Sequence, residues 1–337
     1  MSRWKSLILL LAGIGIIALI IHLAGMESVF HLLIEADFRF VAAAVACQIT
    51  ALILWSWRWK ILLQPFHVAP LRRCLTGILI GIFFNNITPI AKAGGEPFRA
   101  YYLGEREGVR FEDTFATVAM DRIMESLPFL VIFIVSVVYF LLHFETSSEM
   151  MVIVLVALFL NMLLLVGVLY FSYNLGAAKR LVFSFFGLVG RFTNRVEKYE
   201  SAVEEAVEQY HEAIKMLVSH RRNLIDSLCI SSVFWLLLIT RNYLVVLALG
   251  YQIEFSIIVI VQTVGTFVGI VPVLPGGLGS TDGIIIFLYL SFGFPTAAAV
   301  SASLLDRFIS YWMVTTLGAL VVAIERTLLK GQDSPPQ

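Results

Sequence analysis

The sequence predicts an all-α polytopic membrane protein with about six full transmembrane helices and two re-entrant, broken-helix segments in an inverted repeat. Hydrophobic residues make up 59% of the 337 residues and charged residues 14%. The mean hydropathy of +0.88 lies far above that of soluble proteins. Several apolar stretches are long enough to cross a bilayer, and two others are broken by proline and glycine. Together these observations predict a single membrane domain over residues 1–337.

Six apolar stretches are each long enough to cross the hydrocarbon core as one helix, which requires about 18 residues. They are 6–24, 38–57, 114–142, 151–173, 224–250 and 297–324. The first stretch follows Arg3 and Lys5, as the apolar region of a signal peptide would. No convincing cleavage site comes after it, so we expect a retained helix.

The distribution of Lys and Arg among the connecting segments predicts that both termini are cytoplasmic. Basic residues gather at the two ends of the chain and in segments 58–73 and 175–222. Segments 25–37, 143–150 and 251–255 carry acidic residues without Lys or Arg. We therefore expect a multi-pass plasma-membrane protein with an amphipathic, cytoplasmic insertion at 175–222.

Two regions are too short or too interrupted to cross the membrane as single helices. Their breaks contain Asn85, Asn86, Pro89, Pro272 and Pro275. Counting the crossings between predicted cytoplasmic and external segments, we expect 75–104 to enter and leave from the cytoplasm and 256–292 from outside. Irregular backbone at membrane depth is tolerated only where protein or a water-filled cavity satisfies its polar groups. The breaks are therefore expected inside the helix bundle.

The two halves, 1–142 and 151–324, contain the same series of elements in opposite predicted orientation. The matching residues are Pro89, Gly94, Gly95, Asp121 and Arg122 in the first half and Pro272, Gly276, Gly277, Asp306 and Arg307 in the second. Inverted repeats with broken helices are typical of alternating-access transporters, whose substrate site lies where the repeats meet. The alternative is a duplicated fold in which the glycines only permit close helix packing.

Charged residues fall within the predicted spans, where each costs about 2.5 to 3.5 kcal/mol on insertion scales. They are Asp121, Arg122, Glu125, Arg241, Asp306 and Arg307. Adjacent Asp and Arg side chains point about 100° apart on a helix, so we expect pairing across the repeats, Asp121 with Arg307 and Asp306 with Arg122. One reading is that these pairs only hold the halves together. The other is that an arginine grips an anionic headgroup. Arg241 also has a third option, which is to reach the membrane interface.

The glycine-rich breaks suggest a second feature of the same site. Gly94 and Gly95 allow a sharp turn before a short helix at about Glu96 to Tyr102, whose N-terminus has the polarity to face an anion. Glu96 would compete for that position, and Arg99 would offset it. The matching turn contains Gly276, Gly277, Gly279 and Asp282, and Asp282 also fits a plain helix N-cap.

Other function classes find little support in the sequence. A net charge of zero argues against a nucleic-acid partner. The three cysteines are isolated, and neither metal-ligand spacing nor an enzyme signature is present, so we expect no metal, no cofactor and no catalytic residues. Trp55, Trp57 and Trp59 are interpreted as an interfacial anchor without chemistry.

Four segments resemble the signature regions of a known family. GGEPFRAYYL and ATVAMDRIMES in the first half, and VPVLPGGLGSTDG and ASLLDRFISYW in the second, are similar to those of the lysylphosphatidylglycerol synthase transmembrane-region family. This family includes the flippase-like domain of the multiple peptide resistance factor. The resemblance implies a role for Gly94, Gly95, Glu96, Arg99, Asp121, Arg122, Pro275, Gly276, Gly277, Gly279, Asp306 and Arg307.

The family resemblance also implies a substrate class. Family members are thought to move or bind lipids such as aminoacylated phospholipids or polyprenyl-linked glycolipids. The sequence ends at Gln337 without the aminoacyl-transferase domain of the resistance factor, so we do not expect this chain to synthesise aminoacyl lipids alone.

These observations favour a lipid transporter in which an anionic or glycosylated headgroup passes through a polar cavity between the repeats. Arg122, Arg241 and Arg307 would attract the headgroup, and membrane lipids would be the partners. One alternative is a transferase that uses a lipid-linked donor, with Glu96, Asp121 or Asp282 as the base. Another is a lipid-binding subunit of a separate lipid-synthesising enzyme. The sequence leaves the lipid, the energy source and the oligomeric state open.

Overall fold

The computed structural model describes residues 15, 18–88, 94–143, 148–190, 200–268, 277 and 279–332, and all regular structure in these residues is helical. The helices are α1 (Met26–Ile34), α2 (Phe38–Leu63), α3 (Leu71–Ile87), α4 (Glu96–Glu107), α5 (Phe111–His143), α6 (Ser148–Tyr173), α7 (Leu175–Gly190), α8 (Glu200–Ser219), α9 (Arg221–Ala248), α10 (Phe255–Val268), α11 (Ser280–Ser291), α12 (Thr296–Arg307), a π-helical turn (Phe308–Met313) and α13 (Val314–Gln332). The predicted all-α fold is confirmed.

Four long helices within the described residues have the length and apolar composition of membrane spans. They are α2, α5, α9 and the continuous Thr296–Glu325 segment of α12 and α13. The end of α6 and the start of α7 form a fifth candidate, bent by 108° at Asn174. These helices correspond to five of the six predicted spans and confirm a multi-pass membrane protein. The remaining span, 6–24, lies largely outside the described residues, and its described end, 18–24, is helical.

Helices α2 and α9 pack along one another at the centre of the bundle. Phe129 and Phe133 of α5 join Phe234 and Trp235 of α9 in the largest hydrophobic core described. In addition, α3 packs against α13, and α10 packs against α5. Each half therefore places a short helix against the long helix of the other half. The inverted repeat, the re-entrant courses and the membrane orientation stay predictions.

The first break brings the backbones of α3 and α4 unusually close. A Cβ atom at Gly95 would lie 1.8 Å from the carbonyl oxygen of Gly81. The N–H group of Gly95 donates to Oδ1 of Asn85 at 2.6 Å, and α4 begins at Glu96, where a short helix was predicted to start. Gly95 has an ordinary φ of −89°, so close approach explains this glycine better than the expected sharp turn does. Gly94 is similarly confined, since a Cβ there would lie 2.2 Å from Oγ1 of Thr88.

The second break requires glycine for a different reason. Gly277 and Gly279 have φ values of +69° and +80°, in the left-handed region that glycine adopts without strain. Helix α11 begins directly after them, at Ser280. Pro89, Pro272, Pro275 and Gly276 lie outside the described residues.

The predicted amphipathic insertion contains α7 and α8. The apolar face of α8 packs against α5, where Ile214 and Leu217 contact a buried cluster that includes Ala116 and Met120. Helix α8 thus covers the end of α5 that carries the charged residues described next.

Replacing Gly95 with alanine is expected to destabilise the fold. The added methyl group cannot fit against the Gly81 carbonyl, so the two helices must separate, at a cost of about 1–3 kcal/mol. Thermal unfolding of the purified protein in detergent measures the effect. Gly283→Ala is the matched control, because nothing lies within 4 Å of the added methyl group. Equal midpoints for the two variants would contradict the close approach.

Candidate functional site

Six charged side chains from α2, α4 and α5 form a closed ring of alternating charge. Its members, in order of contact, are Arg58, Asp121, Arg99, Glu96, Arg122 and Glu125. We refer to this group as the six-residue ring. Helix geometry explains part of it, because Glu96 and Arg99 are three residues apart on α4, as are Arg122 and Glu125 on α5.

The contacts around the ring are short and involve several atoms of each guanidinium group. Arg58 donates from Nε to Oδ1 of Asp121 at 2.6 Å and from Nη2 to Oε2 of Glu125 at 3.0 Å. Arg99 donates from Nη1 to Oδ2 of Asp121 at 3.0 Å and from Nε to Oε2 of Glu96 at 2.6 Å. Arg122 closes the ring by donating to Glu96 and to Glu125. Each carboxylate therefore accepts from two arginines.

The interior of the ring is fully buried. The side chains of Arg58 and Asp121 are 0% exposed and that of Arg99 is 1% exposed. Trp55 donates from its indole N–H to Oδ2 of Asp121 at 2.8 Å, and its ring lies beside the guanidinium groups of Arg99 and Arg122. Removing charges from water is costly unless they are paired and hydrogen-bonded. The ring and Trp55 pair every one of these charges, and Nη2 of Arg99 is the ring atom that stays buried without a hydrogen-bond partner among the described residues.

In the described part of the second half, the corresponding charged residues form two separate ion pairs in place of a ring. Arg241 donates from Nε to Oδ1 of Asp306 at 2.9 Å, and from Nη1 to Gln48 of the first half at 2.6 Å. Arg307 donates from Nε to Oδ1 of Asp282 at 2.8 Å. We refer to these as the two second-half pairs.

The two sets of charges have matching positions in the chain. Arg58 and Asp121 are 63 residues apart, and Arg241 and Asp306 are 65 apart. Likewise Glu96 and Arg122 are 26 residues apart, and Asp282 and Arg307 are 25 apart. The difference lies in the residues that complete the ring. Isoleucine 285 stands three residues after Asp282, where the first half has Arg99, and Ser310 stands four after Asp306, where the first half has Glu125.

A cavity of about 230 Å³ lies between the two halves, and its charged lining residues are Arg122 and Glu125 of the six-residue ring and Arg241, Asp306 and Arg307 of the second-half pairs. The first half contributes Gln48, Leu52, Trp55, Ile82, Asn85, Asn86, Arg122 and Glu125 to its wall. The second half contributes Phe234, Trp235, Leu238, Arg241, Gln262, Gly265, Thr266, Thr281, Asp306, Arg307, Ser310, Tyr311 and Val314. Ser310 and Tyr311 belong to the π-helical turn, an irregularity that is frequent at functional sites.

The asparagines of the first break hold the elements around this cavity together. Asn85 accepts from Gly95 and contacts Glu96. Asn86 donates to Oγ1 of Thr315 at 2.6 Å, and its carbonyl accepts from the Tyr311 hydroxyl at 3.1 Å. The side chains of these neighbouring residues thus connect α3 to α4 and α3 to α13. Among the described residues, no group of three His, Cys, Asp or Glu side chains is arranged to hold a metal ion.

The predicted pairing across the repeats is wrong. Asp121 pairs with Arg58 and Arg99, and Arg307 pairs with Asp282, so each carboxylate finds its arginine within its own half. The physical reason is that Asp121 faces α2 and Arg122 faces the start of α4. The adjacent Asp and Arg side chains do point in different directions, as expected. Each of them finds its partner within its own half rather than in the other half.

Arg58 is the principal residue that sequence reasoning missed. It was assigned to a cytoplasmic segment, 58–73, whereas α2 continues to Leu63 and buries Arg58 completely. Trp55 and Trp59 were also assigned no chemistry, yet Trp55 binds Asp121 and Trp59 donates to Oγ1 of Thr117 at 3.0 Å. The apolar residues that follow Arg58, up to Leu63, are the signal in the sequence that the helix continues past Arg58. Trp57 is 51% exposed, as an interfacial residue would be.

Comparison with known proteins agrees with the resemblance seen in the sequence. The family model described as "Lysylphosphatidylglycerol synthase TM region" matches residues 8–318, a range that includes the six-residue ring and both second-half pairs. The chain belongs to the lysylphosphatidylglycerol synthase transmembrane-region family. Both sets of charges thus lie within the part of the chain that defines this family.

Several relatives are similar to this family member over nearly their whole length. A UPF0104 membrane protein of Methanothermobacter thermautotrophicus is 31% identical, with 95% of each chain covered. A UPF0104 membrane protein of Pyrococcus horikoshii is 28% identical, with 96% of this chain and 98% of the relative covered. Glycosyltransferase AglD of Haloferax volcanii is 24% identical over 89% of this chain and 51% of its own length.

Replacing Arg58 with alanine is expected to destabilise the protein strongly, because it leaves Asp121 and Glu125 short of one partner in a buried site. The loss expected for such a break is about 3–5 kcal/mol. Thermal unfolding in detergent measures it. The control is Arg110→Ala, since the Arg110 side chain is 62% exposed and its pair with Asp113 is worth at most about 1 kcal/mol. If both variants unfold at the wild-type midpoint, the six-residue ring does not stabilise the bundle.

Proposed function

We propose that this protein moves a lipid with an anionic or glycosylated headgroup across the plasma membrane, the headgroup passing through the central cavity while the tails remain in lipid. The observation that carries the proposal is the cavity itself, which lies between the two halves and has arginines, carboxylates and amides in its wall. Charged side chains inside membrane helices usually face a substrate path or a partner. Here they do both.

The similar spacing of the charges in the two halves supports a function based on two inverted repeats. The long helix of each half carries an Asp-Arg dipeptide, and in each half the Asp pairs with the preceding long helix and the Arg with the start of a short helix. Substrate sites of inverted-repeat transporters lie where the repeats meet. We therefore propose that 1–142 and 151–324 are the repeats and that 75–104 and 256–292 are re-entrant.

The charged residues of the cavity wall are all ion-paired, which bears on how a headgroup would bind. Arg122, Arg241 and Arg307 line the cavity together with Glu125 and Asp306, and each of these arginines pairs with a carboxylate. A phosphate entering this site must take over guanidinium hydrogen bonds from a carboxylate. The Arg122 side chain is 33% exposed, more than any other member of the six-residue ring, and is therefore the arginine best able to change partner.

Polar contacts at two ends of the bundle connect the halves, and we propose that they open alternately. At the end of α4, Arg106 donates to Oε2 of Glu325 on α13 at 2.5 Å, and Tyr102 donates to Oε1 at 3.1 Å. Elsewhere, Tyr139 of α5 donates to Oε1 of Glu254, just before α10, at 2.9 Å. The first contact would close the cytoplasmic side and the second the external side.

Translocation by reconstituted protein tests the proposal. Arg122→Gln and Arg307→Gln are each expected to lower the rate of movement of a fluorescent anionic phospholipid in liposomes by about tenfold or more, because each removes charge-assisted hydrogen bonds to the headgroup. The control is Arg110→Gln, which removes an exposed arginine outside the cavity wall. Folded variants that translocate at the wild-type rate would exclude the assigned roles.

The proposed orientation has a separate test. A cysteine at position 105, where Glu105 is exposed near the C-terminal end of α4, is expected to react with a membrane-impermeant maleimide only from the cytoplasmic side. The measurement uses whole cells and inverted membrane vesicles, in a background with Cys47, Cys74 and Cys229 replaced. Labelling in whole cells would reverse the orientation.

A second candidate function is transfer of a group from a lipid-linked donor, and the similarity to glycosyltransferase AglD favours it. The proposed bases, Glu96, Asp121 and Asp282, all accept hydrogen bonds from arginines, so a substrate proton would have to compete with a guanidinium group at each of them. Product formed from a radiolabelled donor by the purified chain alone would favour transfer over transport. Stoichiometric co-purification of a lipid-synthesising enzyme would favour an accessory role.

A further inference from the structure

The two short helices that follow the breaks differ at their N-termini. At the start of α4, the Glu96 carboxylate occupies the N-terminal turn and is held by Arg99 and Arg122. At the start of α11, the first acidic residue, Asp282, turns back and accepts from the N–H group of Gly279 at 2.9 Å. The first N–H groups of any α-helix have no acceptor within the helix. Of these two helices, α4 has a carboxylate at its first position and α11 does not. The first N–H groups of α11 can therefore face a ligand.

A buried hydroxyl group at the same place has no partner. Thr281 is 7% exposed, its Oγ1 atom is buried, and that atom has no hydrogen-bond partner within the part of the chain that the structure describes. Thr281 also forms part of the cavity wall. Buried hydroxyl groups are almost always satisfied, so an unpaired one at a cavity indicates a place for a ligand atom.

Arg307 adds positive charge to this terminus. It donates from Nε to Asp282 at 2.8 Å and from Nη2 to the carbonyl of Gly277 at 2.9 Å, and it too contributes to the cavity wall. The nearby Asp282 carboxylate is offset by three donors, because it accepts from Arg307, Ser303 and Gly279. The polar groups of this terminus are therefore the Thr281 hydroxyl and the first N–H groups of the helix, next to the positive charge of Arg307.

We propose that the start of α11 is the subsite for the phosphate of the headgroup, with Thr281 Oγ1 and the N–H groups of Ser280 and Thr281 as donors and with the positive charge of Arg307 beside them. The phosphate ester of a lipid presents acceptor oxygens and a negative charge, so it matches a set of donors at a helix N-terminus. The corresponding place in the first half is filled by Glu96, and the two halves therefore bind the headgroup unequally. This inference rests on the proposed function.

Direct binding in detergent tests the subsite. The probe is radiolabelled dioctanoyl phosphatidic acid, and the competitors are dioctanoylglycerol, which differs only in lacking the phosphate, and inorganic phosphate. Thr281→Val removes the hydroxyl and keeps the shape, and Thr281→Ser keeps the hydroxyl. The matched control is Thr263→Val on α10, because Thr263 is buried, is absent from the cavity wall and bonds only carbonyls of its own helix.

We expect Thr281→Val to weaken binding of phosphatidic acid by about tenfold or more, as for loss of a hydrogen bond to a charged group. Thr281→Ser and Thr263→Val should bind like the wild type, and dioctanoylglycerol should not compete. Wild-type affinity in Thr281→Val, or equal competition by dioctanoylglycerol, would overturn the subsite. If Thr281→Val fails to fold, Thr281→Ala compared with Thr281→Ser decides the same question.

Two further results separate the subsite from the proposed function. If inorganic phosphate competes as well as the lipid, and does so through Thr281, the subsite is supported but its ligand is a free anion, which overturns the lipid assignment. If Thr281→Val binds normally while Arg307→Gln abolishes translocation, the transport function stands and the subsite is wrong.

Discussion

Arg58 and Asp121 form an ion pair without exposed side-chain surface inside a bundle whose surroundings are hydrocarbon. An unpaired charge in such a place would cost several kcal/mol, so the position of each helix near it is constrained by the need to supply a partner. Helix α2 supplies Arg58, α5 supplies Asp121 and Glu125, and α4 supplies Arg99. The pair thus determines how three helices meet.

The start of α4 agrees with the same constraint. A helix that starts at Glu96 presents its carboxylate to Arg122 and to its own N-terminus. The close contact between Gly95 and Gly81 then holds α4 against α3. Glu96, which on sequence grounds seemed to obstruct an anion site, is an internal anion that completes the six-residue ring.

The two halves share a pattern of charged residues, but the second half lacks the residues that complete the ring in the first half. In the first half, Arg99, Glu125 and Trp55 surround the central pair with additional partners. In the second half, Ile285 and Ser310 stand at the matching positions, and the charges remain as two separate pairs. A transporter built in this way would have one firmly held half and one half with more freedom to exchange partners. The unpaired Thr281 hydroxyl lies in the second.

The sequence by itself determined the all-α membrane fold, because a helix that spans a bilayer needs a long apolar run and local composition reports it directly. It also determined the family and the start of α4, since proline, glycine and acidic residues mark such breaks locally. Only the tertiary structure decided which charges pair. Arg58 and Asp121 are 63 residues apart, and nothing local in the sequence specifies which face of α5 meets α2. The cavity and the unpaired Thr281 hydroxyl likewise depend on packing between distant helices. Whether a buried polar group has a hydrogen-bond partner is decided by the residues that the fold places next to it.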